Sequence, residues 1–186
     1  MMETTSMAEG LVAPELDKSL GAKLELYGQF VGSWQADVTF YFLDGTQENV
    51  EGELHFERVL EGTAIQDLFI YPARHLRTGP RQPWWRYGST FRWYDPDIDA
   101  WHITFFDPGR SVENHQIGRA VGNDIVQIGE DQPGVLRRWR FVDITGSSFT
   151  WLGELSWDRG STWTLHLRTL ATRRRRSTQL EPPPGL

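Results

Sequence analysis

Gly88-Ser-Thr-Phe-Arg-Trp-Tyr-Asp-Pro-Asp-Ile-Asp-Ala-Trp-His-Ile-Thr-Phe-Phe-Asp-Pro108 is the stretch whose reading decides the fold. Ser89, Phe91 and Trp93 share one phase of a two-residue period, and Thr90, Arg92 and Tyr94 share the other. After Asp95-Pro-Asp-Ile-Asp99, Trp101, Ile103 and Phe105 alternate with His102, Thr104 and Phe106. Alternation of this kind on both sides of an Asp/Pro cluster is the signature of a β-hairpin. Large aromatic residues occupy both phases, so neither face reads as wholly wetted.

The same rhythm continues in both directions. Upstream, Trp34, Ala36, Val38, Phe40 and Phe42 share a phase, and Asp44-Gly45 marks a turn. From Asn49 to Leu60, Val50, Gly52, Leu54 and Phe56 alternate with Glu51, Glu53, His55 and Glu57, which predicts an acidic row facing water. A third strand spans Ala64 to Tyr71. Residues 72–87 interrupt the pattern with three prolines, four arginines and the pair Trp84-Trp85, and read as a long connection over a cavity mouth. Downstream, five more strands lie over 110–121, 124–129, 135–143, 148–157 and 162–172, separated by Gly-Asn, Gln-Pro-Gly, Thr-Gly and Asp-Arg-Gly signals.

The prediction is an all-β protein of about ten antiparallel up-and-down strands. Short connections make sequential strands neighbours, and closure into a β-barrel removes the exposed edges of so large an open sheet. Ahead of the strands, Leu16, Leu20, Leu24, Tyr27 and Val31 recur at helical spacing after Pro14, which predicts a short N-terminal helix plugging one barrel end. The expected organisation is a disordered N-terminus over 1–13, one barrel domain over 14–172 and a disordered Arg/Pro-rich tail over 173–186.

Composition narrows the function classes. The 186 residues carry a net charge of −6, which disfavours a nucleic-acid partner. The absence of cysteine removes thiolate chemistry and zinc–cysteine sites and fits a reducing cytoplasm. No cationic segment followed by an apolar core opens the chain, and no run has the length of a membrane span. Nine tryptophans supply rings both for a β-rich core and for an aromatic-lined pocket. No nucleophile elbow, P-loop or dinucleotide fingerprint is present.

An N-terminal helix followed by Phe30-Val-Gly32-Ser-Trp34 and a meander of strands resembles the calycin, or lipocalin-like, superfamily. Gly52-Glu-Leu-His-Phe, Val59-Leu-Glu-Gly62, the Gly88–Pro96 run and Trp101–Pro108 are similar to a bacterial lipocalin-like domain family related to nitrobindin. The resemblance covers about residues 24–172. It implies a barrel with a central apolar cavity. Calycins carry lipids or pigments, bind haem, or in some bacterial pathways catalyse cyclisation or isomerisation without a cofactor, so fold alone does not select among them.

The first expectation is therefore binding of a small apolar or aromatic metabolite, with no cofactor and no metal. The expected lining is Phe40, Phe56, Phe91, Trp93, Trp101, Phe105, Asn114, Gln116, Trp139 and Trp151, with Trp84 and Trp85 at the mouth. The alternative is a cofactor-free cyclase or isomerase of polyketide-like metabolism. Asp67, His102 and His115 are its candidates for proton transfer, since a carboxylate on the aromatic face of Ile65, Phe69 and Tyr71 acquires a raised pKa. The third reading is haem binding through His166, which the resemblance places on the last strand. The phase of Trp163, Leu165 and Leu167 predicts, against this, that His166 points outward. Glu51, Glu53, His55 and Glu57 read as a solvated face rather than a metal site. Exposed Tyr41 and Phe106 offer a face for a homodimer.

Overall fold

The computed structural model describes residues 6–174. Ten strands follow one another: β1 (Gly32–Tyr41), β2 (Gln47–Val59), β3 (Ala64–Tyr71), β4 (Arg86–Asp95), β5 (Ala100–Asp107), β6 (Val112–Val121), β7 (Asp124–Gln132), β8 (Val135–Val142), β9 (Ser148–Ser156) and β10 (Thr164–Arg173). Each pairs antiparallel with its sequence neighbours, and β1 pairs with both β2 and β10. The sheet is thus a closed ten-stranded barrel, and no strand is left as an edge.

Alternation sorts the side chains. Trp34, Ala36 and Val38 of β1 are buried inward, and Gln35, Asp37 and Thr39 face out. Across the central hairpin, Arg92 stands opposite Ile103 and Thr90 opposite Phe105, while Trp93 stands opposite His102 and Phe91 opposite Thr104. Directly paired residues share a face, so Thr90 and Arg92 join Ile103 and Phe105 inside, and Phe91 and Trp93 lie outside.

The expected continuous N-terminal helix is interrupted. A 3₁₀ turn covers Lys18–Lys23, and an α-helical turn covers Glu25–Gly28. Gly21 kinks the 3₁₀ segment itself, with φ 56° and ψ −144°, a conformation outside the helical region that glycine adopts without a Cβ penalty. The apolar stripe still plugs the barrel: Leu24 and Tyr27 are fully buried, and Leu16, Leu20 and Val31 pack against the core. Residues 6–13 were also expected to lack structure. Instead they form a turn of helix over Met7–Leu11, closed by a reciprocal capping box between Ser6 and Glu9. Backbone bonds from Ala13 N–H to the Arg58 carbonyl (2.8 Å) and from Leu60 N–H to the Leu11 carbonyl (3.0 Å) tie this segment to the end of β2. Residues 1–5 and 175–186, part of the two termini expected to be disordered, lie outside the described residues.

The two barrel ends differ. At the plugged end Tyr27, Phe30, Trp34, Phe56, Trp101, Phe141 and Phe149 form one cluster of rings. Phe30 and Phe141 stack at 4.8 Å between centroids, and Phe149 meets Trp34 edge-on at the same separation. The opposite end receives the C-terminal ends of β1, β3 and β9 and the long connection between β3 and β4. Among the described residues no helix is long and apolar enough to cross a membrane.

Candidate functional site

At the end away from the plug the rings stop short of filling the barrel. A cavity of about 290 Å³ remains, just under the ~300–1,000 Å³ range of small-molecule pockets. Its apolar wall includes Phe40, Phe69, Tyr71, Phe105, Trp139, Trp151 and Leu167. Trp139 and Trp151 lie 5.5 Å apart, Phe69 meets Trp151 at 5.5 Å, and Phe105 meets Trp139 edge-on at 5.6 Å. Gly88 makes room on β4: a Cβ there would collide with the Phe105 ring, so only glycine lets that ring approach the strand so closely.

The polar lining is basic. Arg86, Arg92, Arg110 and Arg137 border the cavity, and no aspartate or glutamate does. Arg92 is fully buried at its floor, paired with the equally buried Asp67, whose other oxygen accepts the Thr90 N–H at 3.2 Å. Tyr27, Phe56 and Phe141 surround the guanidinium, with centroids 5.1–5.8 Å from Cζ. Burial pushes the Asp67 carboxyl up from its ordinary range, and the Arg92 charge opposes that rise. Arg137 is paired with Asp131. Arg86 and Arg110 have no acidic partner at ion-pair distance among the described residues.

His166 lies on this wall as well. Leu165 pairs with Glu154 and Leu167 with Gly153, so one extra residue is accommodated between them. This β-bulge turns both His166 and Leu167 inward. The expectation that His166 points outward is thereby corrected, because strict alternation does not survive a bulge. Burial, with repulsion from Arg137, holds the imidazole down at about 4, so it is neutral at physiological pH. Four polar atoms on cavity residues are buried without a hydrogen-bond partner: Arg92 Nε, Asn114 Oδ1, Trp139 Nε1 and His166 Nδ1.

Of the residues expected to line a pocket, Phe40, Phe105, Asn114, Trp139 and Trp151 border the cavity. Phe56 and Trp101 point inward but belong to the plugged end. Gln116 is buried in the inner phase of β6, deeper than the cavity. Phe91 and Trp93 were expected inside and are outside, since β4 turns Thr90 and Arg92 inward in their place. The connection between β3 and β4 does sit at the cavity end, flanked by the lining residues Tyr71 and Arg86. However, Trp84 is largely exposed, and Trp85 is buried beneath Arg77, whose Cζ lies 5.1 Å from its ring; neither reaches the cavity.

The proton-transfer candidates are dispersed. Asp67 faces inward but is sealed behind Arg92. His102 lies on the outer face, stacked on Trp93 at 5.1 Å and bonded to Asp95 at 2.9 Å. His115 is exposed, with its Nε2 2.7 Å from Glu113. The acidic row of β2 is outward, but Glu53 is nearly inaccessible there. Arg74 donates to it from its backbone N–H, Nε and Nη2 at 2.7–2.9 Å, and these bonds hold the carboxyl down at about 2. Among the described residues no three His, Asp or Glu side chains gather as metal ligands.

Sequence reasoning missed Phe69, Tyr71, Arg86, Arg92, Arg110, Arg137 and, by its phase, His166. Phe69 and Tyr71 were legible, since they share the phase of Asp67. Nothing in the sequence marks the bulge.

No protein-family model and no curated protein matches the chain. Solved structures do. The S-type phycobiliprotein lyase CPES from Guillardia theta superposes with a TM-score of 0.56 at 12% identity, over 81% of this chain and 92% of that one. Rv2717c from M. tuberculosis superposes with a TM-score of 0.53 at 13% identity, over 82% of this chain and 98% of that one. The likeness is one of fold. At these identities the likeness establishes the barrel, and the cavity lining is this chain's own.

Proposed function

We propose that this barrel binds a small apolar or aromatic molecule in the cavity at its unplugged end. The observation that carries the reading is the unequal filling of the interior. One end is packed ring against ring, and the other leaves a 290 Å³ space between rings. A void forfeits dispersion contacts on every wall, so a barrel serving only as a scaffold gains stability by closing it. The unpartnered atoms of Asn114, Trp139 and His166 give a ligand polar points of attachment.

A specific observation favours a second reading, haem held through His166. It accompanies the proposed kinship with nitrobindin-related barrels that the sequence motifs carry. The inward bulge supplies a neutral imidazole with a free Nδ1, the form able to ligate iron. The cyclase or isomerase reading finds none of Asp67, His102 or His115 on the cavity wall.

Native mass spectrometry of the protein from its own host, compared with the denatured mass, separates these readings. A retained apolar metabolite is the expected result. A mass matching haem, lost in His166→Ala, transfers the assignment to the second reading. A bare protein that also fails to take up a neutral naphthalene derivative overturns ligand binding.

A further inference from the structure

The cavity mouth holds more positive charge than its surroundings neutralise. Arg86 opens β4 and is half-buried. Arg110 closes the 3₁₀ turn Pro108–Arg110 between β5 and β6 and is exposed. Both border the cavity, as does the buried Tyr71. A third guanidinium, that of Arg81, lies across Gly109 in the same turn. The carboxylate at this corner is Asp107, fully buried behind the wall, with Arg81 its nearest cation at 3.8 Å. Three cations therefore face one carboxylate. Arg77 adds a fourth cation above the corner, bonded to the Pro72 and Arg86 carbonyls.

The other charges of the cavity are matched. Arg92 has Asp67, Arg137 has Asp131, and His166 is neutral. Burial costs a guanidinium its hydration and lowers the pKa of Arg86, and Arg110 adds like-charge repulsion. A half-buried and an exposed guanidinium on one apolar cavity, neither with an acid within ion-pair distance, make a site to which an anion brings the missing charge.

Resting on the binding reading above, we propose that the cavity takes an apolar or aromatic carboxylic acid. Its hydrocarbon body packs between Phe69, Phe105, Trp139 and Trp151, and its carboxylate is held at the mouth by Arg86 and Arg110. The carboxylate accepts the arginine N–H groups, a geometry that the planar fork of arginine suits. Trp139 Nε1 and Asn114 Oδ1, deeper in the cavity, supply one donor and one acceptor for a polar substituent on the body.

The test is isothermal titration calorimetry of the full chain with 1-naphthylacetate and with its neutral isostere 1-naphthylacetamide, at neutral pH in low and high salt. The acid is expected to bind about tenfold or more tightly than the amide, because charge-assisted bonds discriminate at that level. The preference is expected to shrink in high salt. Arg86→Gln and Arg110→Gln are each expected to weaken acid binding about tenfold or more and to remove the preference over the amide. Arg110 is exposed and outside the strands, so Arg110→Gln keeps the test valid if Arg86→Gln fails to fold. Equal affinity for acid and amide overturns the carboxylate assignment and leaves cavity binding standing. Binding of neither overturns both.

Discussion

Asp67 and Arg92 are a carboxylate and a guanidinium that the barrel removes entirely from water, and they define the floor between its two ends. Each is tolerable inside only because of the other, together with the Thr90 N–H and the three rings around the guanidinium. Removing one partner strands the remaining charge. Asp67→Ala is therefore expected to cost about 3–5 kcal/mol in chemical denaturation, and Asp67→Ala combined with Arg92→Met clearly less. A double variant no more stable than Asp67→Ala would show that the pair acts through some other contact. The period groups Asp67 with Ile65, Phe69 and Tyr71 but does not fix which way that phase faces; the fold turns it inward. The sequence put the wrong phase of β4 inside, because Phe91 and Trp93 make that face look more apolar than Thr90 and Arg92 do.

At the scale of the element, β10 carries the feature that alternation hides. Its bulge sets His166 and Leu167 on the same side. Gly153, opposite, accommodates this: a Cβ there would come within 2.9 Å of Trp151 and 3.2 Å of His166. The imidazole is held neutral, with a pKa near 4 against an ordinary value of 6.5. In the unfolded chain it takes up a proton more readily than in the fold. The stability this group contributes is therefore complete above about pH 6.5 and declines as the pH falls toward 4. Urea titrations of wild type and His166→Gln across that window are expected to converge as the pH drops, with the wild type having the steeper dependence. Parallel curves would place the imidazole in water. The N-terminal stripe is the converse case. Its leucine and tyrosine spacing was legible and its packing follows from that spacing, although Gly21 divides the helix.

For the molecule as a whole, the proposed function puts stability and binding at opposite ends. The plugged end is close-packed, so truncation there leaves a void that its surroundings cannot fill. Phe30→Ala is expected to lower stability by about 3–5 kcal/mol while ligand affinity stays unchanged. Trp139→Ala enlarges a cavity that already exists and is expected to weaken ligand binding about tenfold or more. Calorimetric affinities measured beside denaturation midpoints check both variants. Loss of affinity in Phe30→Ala without unfolding would mean that the two ends are coupled. The aromatic richness of the sequence predicted a ring-lined barrel, but it did not divide the rings between core and cavity. Phe56 and Trp101 have the same pattern around them as Phe105 and Trp139 and differ only in which end of their strands they occupy.

Strand number, antiparallel order and the plug were written in the sequence, because a two-residue period, Gly and Asp turn signals and a helical apolar stripe are each enforced by local backbone sterics. Tertiary structure alone decided which phase of β4 faces inward, where β10 bulges, and that Arg86 and Arg110 converge on one mouth. Those outcomes depend on register against neighbouring strands and on closure of the sheet, where residues far apart in the chain compete for the same interior volume.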